Sequence, residues 1–210
     1  MYWECGDGVR CETMMKMTNN LAAFIGDPQF PQILMRAPQG ERIIRLQDLY
    51  KKYSRLDLSK NYDRPMAIDG LEKRIHRALS TKGGLGIFDE GEQKGLLRRS
   101  LLWYRGPDTT TLTPIDFPSD RDISVVPSWS WMAYTGGIDF LDPKFGGMDW
   151  LEIQSPWSYN GQYVVRTEGQ KGNIALTAEA RDYNPSTALG GEGLIIFDNP
   201  GHSEQPKTRC

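Results

Sequence analysis

Three absences narrow the function of this 210-residue chain before any motif is considered. No apolar run approaches the roughly 20 residues that a membrane-spanning helix needs, and the first residues lack the basic and apolar regions of a signal peptide. The 25 Lys and Arg are balanced by 27 Asp and Glu, so there is no basic stripe of the kind that binds nucleic acid. We therefore expect a cytoplasmic protein with no membrane span and no nucleic-acid partner.

Residue types that form metal sites and catalytic centres are also scarce. The chain has 2 histidines and 3 cysteines, and His76 has neither residue type at a neighbouring helical position, so no metal site is predicted. The odd number of cysteines argues against a disulfide framework. Ser128 and Ser130 lack the elbow motif of a serine hydrolase. We expect no catalytic residue, no metal and no cofactor, and the residues favour a role other than that of an enzyme.

Two short segments have the composition of ligand-binding loops, and each has a simpler interpretation. The glycines within residues 83–86 follow a predicted helix, whereas a phosphate loop precedes one, so they indicate a helix stop. Asp89, Glu90 and Glu92 place three carboxylates within residues 87–92. Their spacing is not that of an EF-hand, and we expect a solvated turn.

Helical periodicity is strongest in the first third of the chain. Residues 43–56 place apolar side chains at helical spacing opposite a cationic face, and this face is interpreted as solvated. A second helix is predicted to open at Asp63, which can cap it, and Pro65, which fits its first turn. Residues 12–24 are rich in helix-forming Met, Lys, Leu and Ala and predict a third helix.

Strand-like sequence occurs at residues 1–4 and dominates the C-terminal part. The sequence therefore predicts an α+β fold (mixed α/β), with helices in the N-terminal third and a β-rich C-terminal part. For residues 95–105 it predicts a short buried segment, and periodicity does not distinguish a helix from a strand there. The remaining predictions are a polar loop at 107–124, strands at 163–166, 174–180 and 194–197, a first domain at 1–150, a β-rich extension at 151–198 and a flexible tail at 199–210.

Residues 125–132 are predicted to contribute more buried apolar area to the core than any other segment of this length. Pro127 suggests the start of a strand, in which alternation puts Trp129 and Trp131 on one face. At about 150–250 Å² per aromatic side chain, two indoles bury roughly 300–500 Å². Because adjacent exposed indoles are costly, we expect both rings in the core. An exposed pair would instead stack on sugar rings, and a carbohydrate- or ligand-binding β module is one alternative function.

Four segments of the chain match motifs that occur in the same order in one family. They are Trp-Glu-Cys at 3–5 with Glu12, DRPMAIDGL at 63–71, GLL at 95–97 with LLW at 101–103, and PSWSW at 127–131. Together they resemble the second half of the fungal heterokaryon-incompatibility (HET) domain, over roughly residues 1–160. The residues that carry the resemblance and are expected in the core are Trp3, Asp63, Pro65, Leu71, Leu102, Trp103, Pro127, Trp129 and Trp131.

The resemblance implies a role in fungal non-self recognition and programmed cell death, through contact with a protein partner. The family's N-terminal half, with its SYxWG strand and its acidic D…CINQ…D segment, has no match here, so we expect a truncated member or a fragment. That half is the one likened to TIR-type signalling domains. A second alternative, an NAD-cleaving enzyme, would therefore lack its catalytic half in this chain.

Overall fold

The computed structural model describes residues 31–91, 95–118, 126–143, 153–157 and 176–177, and the backbone of strands at 2–5, 8–11, 16–17, 158–159 and 162–163. Helices and small antiparallel sheets make up this part of the chain, which confirms the α+β class. Its helices are α1 (Gln32–Arg36), α2 (Gln39–Ser54), α3 (Arg64–Leu79) and α4 (Gly95–Ser100). Its strands are β1 (Tyr2–Cys5), β2 (Gly8–Cys11), β3 (Lys16–Met17), β4 (Lys82–Gly84), β5 (Ile87–Asp89), β6 (Trp103–Arg105), β7 (Thr113–Pro114), β8 (Tyr134–Thr135), β9 (Ile138–Phe140), β10 (Ser158–Tyr159) and β11 (Gln162–Tyr163).

The two long helices follow the predicted periodicity. Helix α2 buries Ile43, Leu46, Leu49 and Tyr50 along one stripe, and α3 buries Ile68 and Ile75. Pro65 lies in the first turn of α3, where its missing N–H costs nothing. Asp63 occupies the position before the helix, but its side chain makes no capping hydrogen bond, contrary to the prediction. A 3₁₀ turn at Asn61–Asp63 precedes α3 instead.

The glycines after α3 form a hairpin, and the prediction that they stop the helix is wrong. The helix ends at Ser80, which is left-handed (φ 53°), while the Thr81 N–H donates to the His76 carbonyl at 3.0 Å, as in a Schellman motif. Strands β4 and β5 then pair with Gly84 opposite Ile87. The two residues between them, Leu85 and Gly86, both have positive φ, at 57° and 80°. A two-residue loop of this kind matches the right-handed twist of a hairpin.

Strands β1, β2 and β3 form an antiparallel sheet in that order. Trp3 lies opposite Arg10, and Lys16 pairs with Arg10 from the other side. The strand predicted at residues 1–4 is confirmed at Tyr2–Glu4, whereas the helix predicted over 12–24 is wrong at Lys16–Met17. Pairing with β2 overrides the helical propensity of these two residues, and the rest of that prediction lies outside the described residues.

The core has two clusters. The main cluster joins the buried faces of α2 and α3 to Phe88 of β5, to Trp131 and to Phe140 of β9. The second cluster contains Ile87, Leu97 and Trp157, with Leu101 and Trp129 packed against it. Strands β6 and β9 pair antiparallel, with Trp103 opposite Phe140. Hairpin β4–β5 lies between the clusters, since Phe88 belongs to one and Ile87 to the other.

The PSWSW segment is not a strand. Ser130 N–H donates to the Pro127 carbonyl at 2.9 Å in a turn, and a 3₁₀ helix follows at Trp131–Ala133. The Ser130 hydroxyl accepts the Met132 N–H at 3.1 Å, a local side-chain bond that competes with strand pairing. As a result Trp131 enters the main cluster and Trp129 the second one, so the prediction that they share one face is wrong.

Other sequence predictions have mixed outcomes. Residues 95–105, left open between helix and strand, contain both α4 and β6. Residues 113–114 of the expected polar loop form β7, which pairs with β8. Among the C-terminal strands, β11 ends at Tyr163, and Thr177 makes an isolated bridge to Gln154. Residues 194–197 lie outside the described part, and the domain boundaries stay predictions.

Candidate functional site

Two polar side chains on the buried face of α3 meet the hairpin β4–β5. Glu72 and His76 are four residues apart, so they project from the same side of the helix, next to Ile68 and Ile75. Glu72 is only 5% exposed. A buried carboxyl group needs compensating hydrogen bonds. The residues that surround Glu72 form the main polar cluster of the described structure.

Glu72 holds the turn of the hairpin. Its Oε1 accepts the Gly86 N–H at 2.7 Å and the Tyr50 hydroxyl at 2.7 Å, and its Oε2 accepts the Leu85 N–H at 3.1 Å. On the other side, the Leu85 carbonyl accepts the Ser130 hydroxyl at 2.7 Å. Leu85 is a non-glycine residue in the left-handed region, a conformation that costs roughly 1–2 kcal/mol. These side-chain bonds offset that cost.

Burial has the largest effect on the pKa values of Glu72 and Tyr50. It raises the pKa of Glu72 from 4.5 to about 7, although the hydrogen bonds from Tyr50, Gly86 and Leu85 oppose the shift. Burial, with the nearby Glu72 carboxyl, also raises the pKa of Tyr50 well above its usual value. Tyr50 is therefore a hydrogen-bond donor to Glu72 at any physiological pH, and Glu72 is the group that titrates near neutrality.

His76 contacts the strands of the same hairpin. Its ring lies 4.6 Å from the Phe88 ring between centroids, and its Nδ1 lies 3.0 Å from the Thr81 hydroxyl. Burial lowers the pKa of His76 from 6.5 to about 4, and the smaller effect of Asp69 acts in the opposite direction. His76 is therefore a neutral residue that packs on the hairpin.

Trp131 packs against the turn of the hairpin and completes the cluster. It is 0% exposed, and its ring lies 5.2 Å from Tyr50 and 6.1 Å from Tyr53. The Arg64 guanidinium lies 5.9 Å from the same ring, and burial lowers the pKa of Arg64. A Cβ added at Gly86 would stand 2.1 Å from Trp131 Nε1. Only glycine fits between Glu72 and this indole.

The acidic segment at the end of the hairpin is structural, and the expectation of a solvated turn is wrong for Asp89 and Glu90. Asp89 is 2% exposed and accepts the Gly91 N–H at 2.8 Å. Glu90 accepts the first two N–H groups of α4, those of Gly95 at 2.7 Å and Leu96 at 2.8 Å. The carboxylate thus satisfies amides that a helix start leaves unpaired. Glu92 lies outside the described residues.

Replacing Glu90 with alanine is expected to lower the free energy of unfolding by about 1–2 kcal/mol, the usual cost of losing a helix cap. The measurement is urea denaturation followed by tryptophan fluorescence. Glu41→Ala is the matched control, because its ion pair with Arg45 is solvent-exposed and is expected to contribute less than about 0.5 kcal/mol. Equal losses in the two variants would contradict a capping role for Glu90.

The residues predicted from the resemblance have different environments. Pro65 and Trp131 are buried, and the Trp3 side chain lies outside the described part. Trp103 Nε1 donates to the Trp129 carbonyl at 2.9 Å, which links the two segments directly. The remaining members, all partly buried, are Asp63, Leu71, Leu102, Trp103, Pro127 and Trp129.

Tryptophan stacking on a sugar has no basis in this geometry. Trp131 is fully buried, and Trp129 packs edge-on against Trp157 with the ring centroids 6.1 Å apart. The two indoles lie in different clusters and form no shared platform. The argument for a carbohydrate-binding module, which required an exposed pair, is lost.

Glu72 and Tyr50 were missed by sequence reasoning. One signal was available, because Glu72 interrupts the apolar stripe of α3 between Ile68 and Ile75. A carboxylate on a core-facing position indicates a buried hydrogen-bond network. Its three partners, however, lie 13, 14 and 22 residues away in sequence, and no local pattern identifies them.

The cluster is a closed structural unit. A cavity beside it, lined by Leu46, Tyr50, Phe88 and neighbouring side chains, measures about 10 Å³, and a single water molecule needs about 10–15 Å³. Within the described residues, no group of three His, Cys, Asp or Glu is placed to hold a metal ion. The arrangement can fix the hairpin on α3, and its buried carboxyl group can exchange a proton.

Comparisons with known proteins identify no relative: no family model, no curated protein and no solved structure matches the chain. In the part of the chain that the structure describes, no helix has the length and apolarity to cross a bilayer. The class that the geometry defines is an α+β protein with a glycine hairpin clamped over a buried glutamate.

Proposed function

We propose that this protein belongs to the HET family and acts in fungal non-self recognition and programmed cell death, through contact with a protein partner in the cytoplasm. The supporting observation is that three of the four segments of the resemblance pack on one another. A single domain core is built from segments that are distant in sequence but pack together in the folded chain.

Three contacts join these segments. Arg64, from the DRPMAIDGL helix start, stacks on Trp131 of PSWSW at 5.9 Å. Trp103, from LLW, donates its indole N–H to the Trp129 carbonyl. Leu97, from GLL, lies in the same hydrophobic cluster as Trp129 of PSWSW. Three of the four segments therefore contain residues that depend on each other, which supports the resemblance in this part of the chain.

Because the polar cluster is buried, a function in protein–protein contact is favoured over a catalytic function. Glu72, Tyr50 and Trp131 are buried, and their hydrogen bonds and ring contacts are made within the protein. A substrate would have to displace the hairpin to reach them. Exposed large apolar side chains lie elsewhere, at Met35, Ile44, Leu56, Met66 and Leu141.

The test is a chimera. This chain would replace the corresponding second half of a HET-domain protein that kills hyphae when it is induced, and hyphal viability would be scored with a vital dye. The proposal expects the chimera to restore cell death to within a few-fold of the parent. A chimera carrying Trp131→Ala is expected to be inactive, because deleting a buried tryptophan costs about 3–5 kcal/mol.

Gly70→Ala provides the matched control, since a Cβ at Gly70 has nothing within 4 Å. Immunoblots would establish that each chimera accumulates. A stable, folded chimera that leaves hyphae fully viable would contradict the proposed function.

A further inference from the structure

Three aromatic side chains of the core lie side by side and differ in what their polar atoms contact. The centre of the Trp131 ring lies 5.2 Å from that of the Tyr50 ring and 6.1 Å from that of the Tyr53 ring. Tyr50 and Trp131 are buried, whereas Tyr53 is partly exposed. The three rings therefore form a continuous path from the surface of the protein to Tyr50.

Of these three side chains, Tyr50 is the one whose polar atom contacts a base. Its hydroxyl donates to Glu72 Oε1 at 2.7 Å, which is within the reach required of a general base. The Tyr53 hydroxyl donates to the Arg64 backbone carbonyl at 2.6 Å, and an amide carbonyl does not take up a proton at neutral pH. Trp131 Nε1 is buried, and no group in the described part of the chain accepts its N–H.

The three hydrogen-bond donors to Glu72 favour its ionised form while Tyr50 is intact. The Leu85 and Gly86 N–H groups donate to the same carboxylate as Tyr50, so a protonated carboxyl group would lack an acceptor for its own hydrogen. Burial also keeps the pKa of the intact Tyr50 phenol well above its usual value. An oxidised phenol, in contrast, is a strong acid, and its oxygen becomes an acceptor once the proton has left. A proton therefore crosses this hydrogen bond when Tyr50 is oxidised.

We propose that Tyr50 and Glu72 form a one-electron redox site. A one-electron oxidant in solution, such as a peroxyl radical, takes an electron from Tyr50 through the rings of Trp131 and Tyr53. The Tyr50 O–H bond breaks, the proton forms an O–H bond with Glu72 Oε1, and the oxidant is reduced by one electron. The products in the protein are a neutral phenoxyl radical and a neutral carboxyl group. A one-electron reductant such as ascorbate reverses the step.

Burial favours oxidation of Tyr50 over oxidation of the neighbouring indole. Before the step Tyr50 and Glu72 together carry one buried negative charge, which is costly, and after it neither residue is charged. Burial raises the pKa of Glu72 to about 7, so Glu72 is a stronger base than an exposed carboxylate. Oxidised Trp131 would be a buried cation 5.9 Å from the Arg64 guanidinium, and like charges repel. Tyr50 is therefore expected to reduce an oxidised Trp131.

The test oxidises the full-length chain at pH 8 with flash-excited tris(bipyridine)ruthenium and an electron acceptor, and it detects radicals by electron paramagnetic resonance. At this pH Glu72 is ionised, because the pH is above its pKa of about 7. We expect a long-lived neutral tyrosyl radical in the wild type, and its loss in Tyr50→Phe. Glu72→Gln is expected to slow its formation by about 100-fold, since a positioned base accelerates a reaction by roughly 10²–10⁴-fold.

Tyr134→Phe is the matched control, because the Tyr134 ring packs on Trp103 instead, and it is expected to keep the long-lived radical. The absence of this radical from the wild type, its survival in Tyr50→Phe, or an unchanged rate in Glu72→Gln would overturn the proposal. If a variant fails to fold, time-resolved infrared spectroscopy of the wild type decides the question. The carbonyl stretch of a protonated carboxyl group should appear and decay together with the radical, and a radical without this band would contradict proton transfer to Glu72.

Discussion

Replacing Glu72 with alanine is expected to lower the free energy of unfolding by about 3–5 kcal/mol at pH 7. The substitution leaves the Leu85 and Gly86 amides and the Tyr50 hydroxyl buried without their acceptor. Each unsatisfied buried donor costs about 1–3 kcal/mol, and water entering the site recovers part of this. The measurement is urea denaturation, combined with hydrogen exchange of residues 81–91, where the loss of protection should be largest.

Two further variants test the mechanism of this loss. Glu72→Gln keeps an acceptor for Tyr50 and Gly86, and it is expected to lose about 1–2 kcal/mol. Lys73→Ala removes an exposed i,i+4 ion pair with Asp69 on the same helix, and it is expected to change stability by less than about 0.5 kcal/mol. A loss in Glu72→Ala no larger than in Lys73→Ala would show that the hairpin does not depend on the glutamate.

Replacing Gly86 with alanine is expected to destabilise the protein by about 2–4 kcal/mol. The new Cβ would lie 2.1 Å from Trp131 Nε1 and 2.6 Å from its Cε2, so the indole or the hairpin must move. Overpacking costs about 1–3 kcal/mol, and the left-handed backbone at φ 80° adds roughly 1 kcal/mol. Thermal unfolding followed by near-ultraviolet circular dichroism reports both the stability and the tryptophan environment.

Gly70→Ala is the matched control for Gly86→Ala. Gly70 lies on the exposed side of α3 with nothing within 4 Å of an added Cβ, so alanine is expected to stabilise the helix by about 0.5–1 kcal/mol. A second check is the pair Gly86→Ala with Trp131→Phe. If the clash with the indole is the cause, the smaller ring should make the double variant less destabilised than the sum of the two single changes. Strict additivity would exclude this cause.

The helices were predictable because their signals are local. In α2 and α3, apolar residues recur about once per helical turn, and Pro65 marks the start of α3. The tryptophan segment was not predictable in this way. Alternating Ser and Trp residues fit a strand, yet the Ser130 side chain caps a 3₁₀ helix and bonds to Leu85, 45 residues away.

The sequence by itself determined the α+β composition, the positions of the two long helices and the burial of Trp131. It also placed the glycines within residues 83–86 after the second of these helices. Only the tertiary structure decided that these glycines turn a hairpin over Glu72, that Trp129 and Trp131 separate, and that Asp89 is buried. The physical reason is that propensity and periodicity act within a few residues, whereas buried hydrogen bonds and packing are formed between segments that only the folded chain brings together.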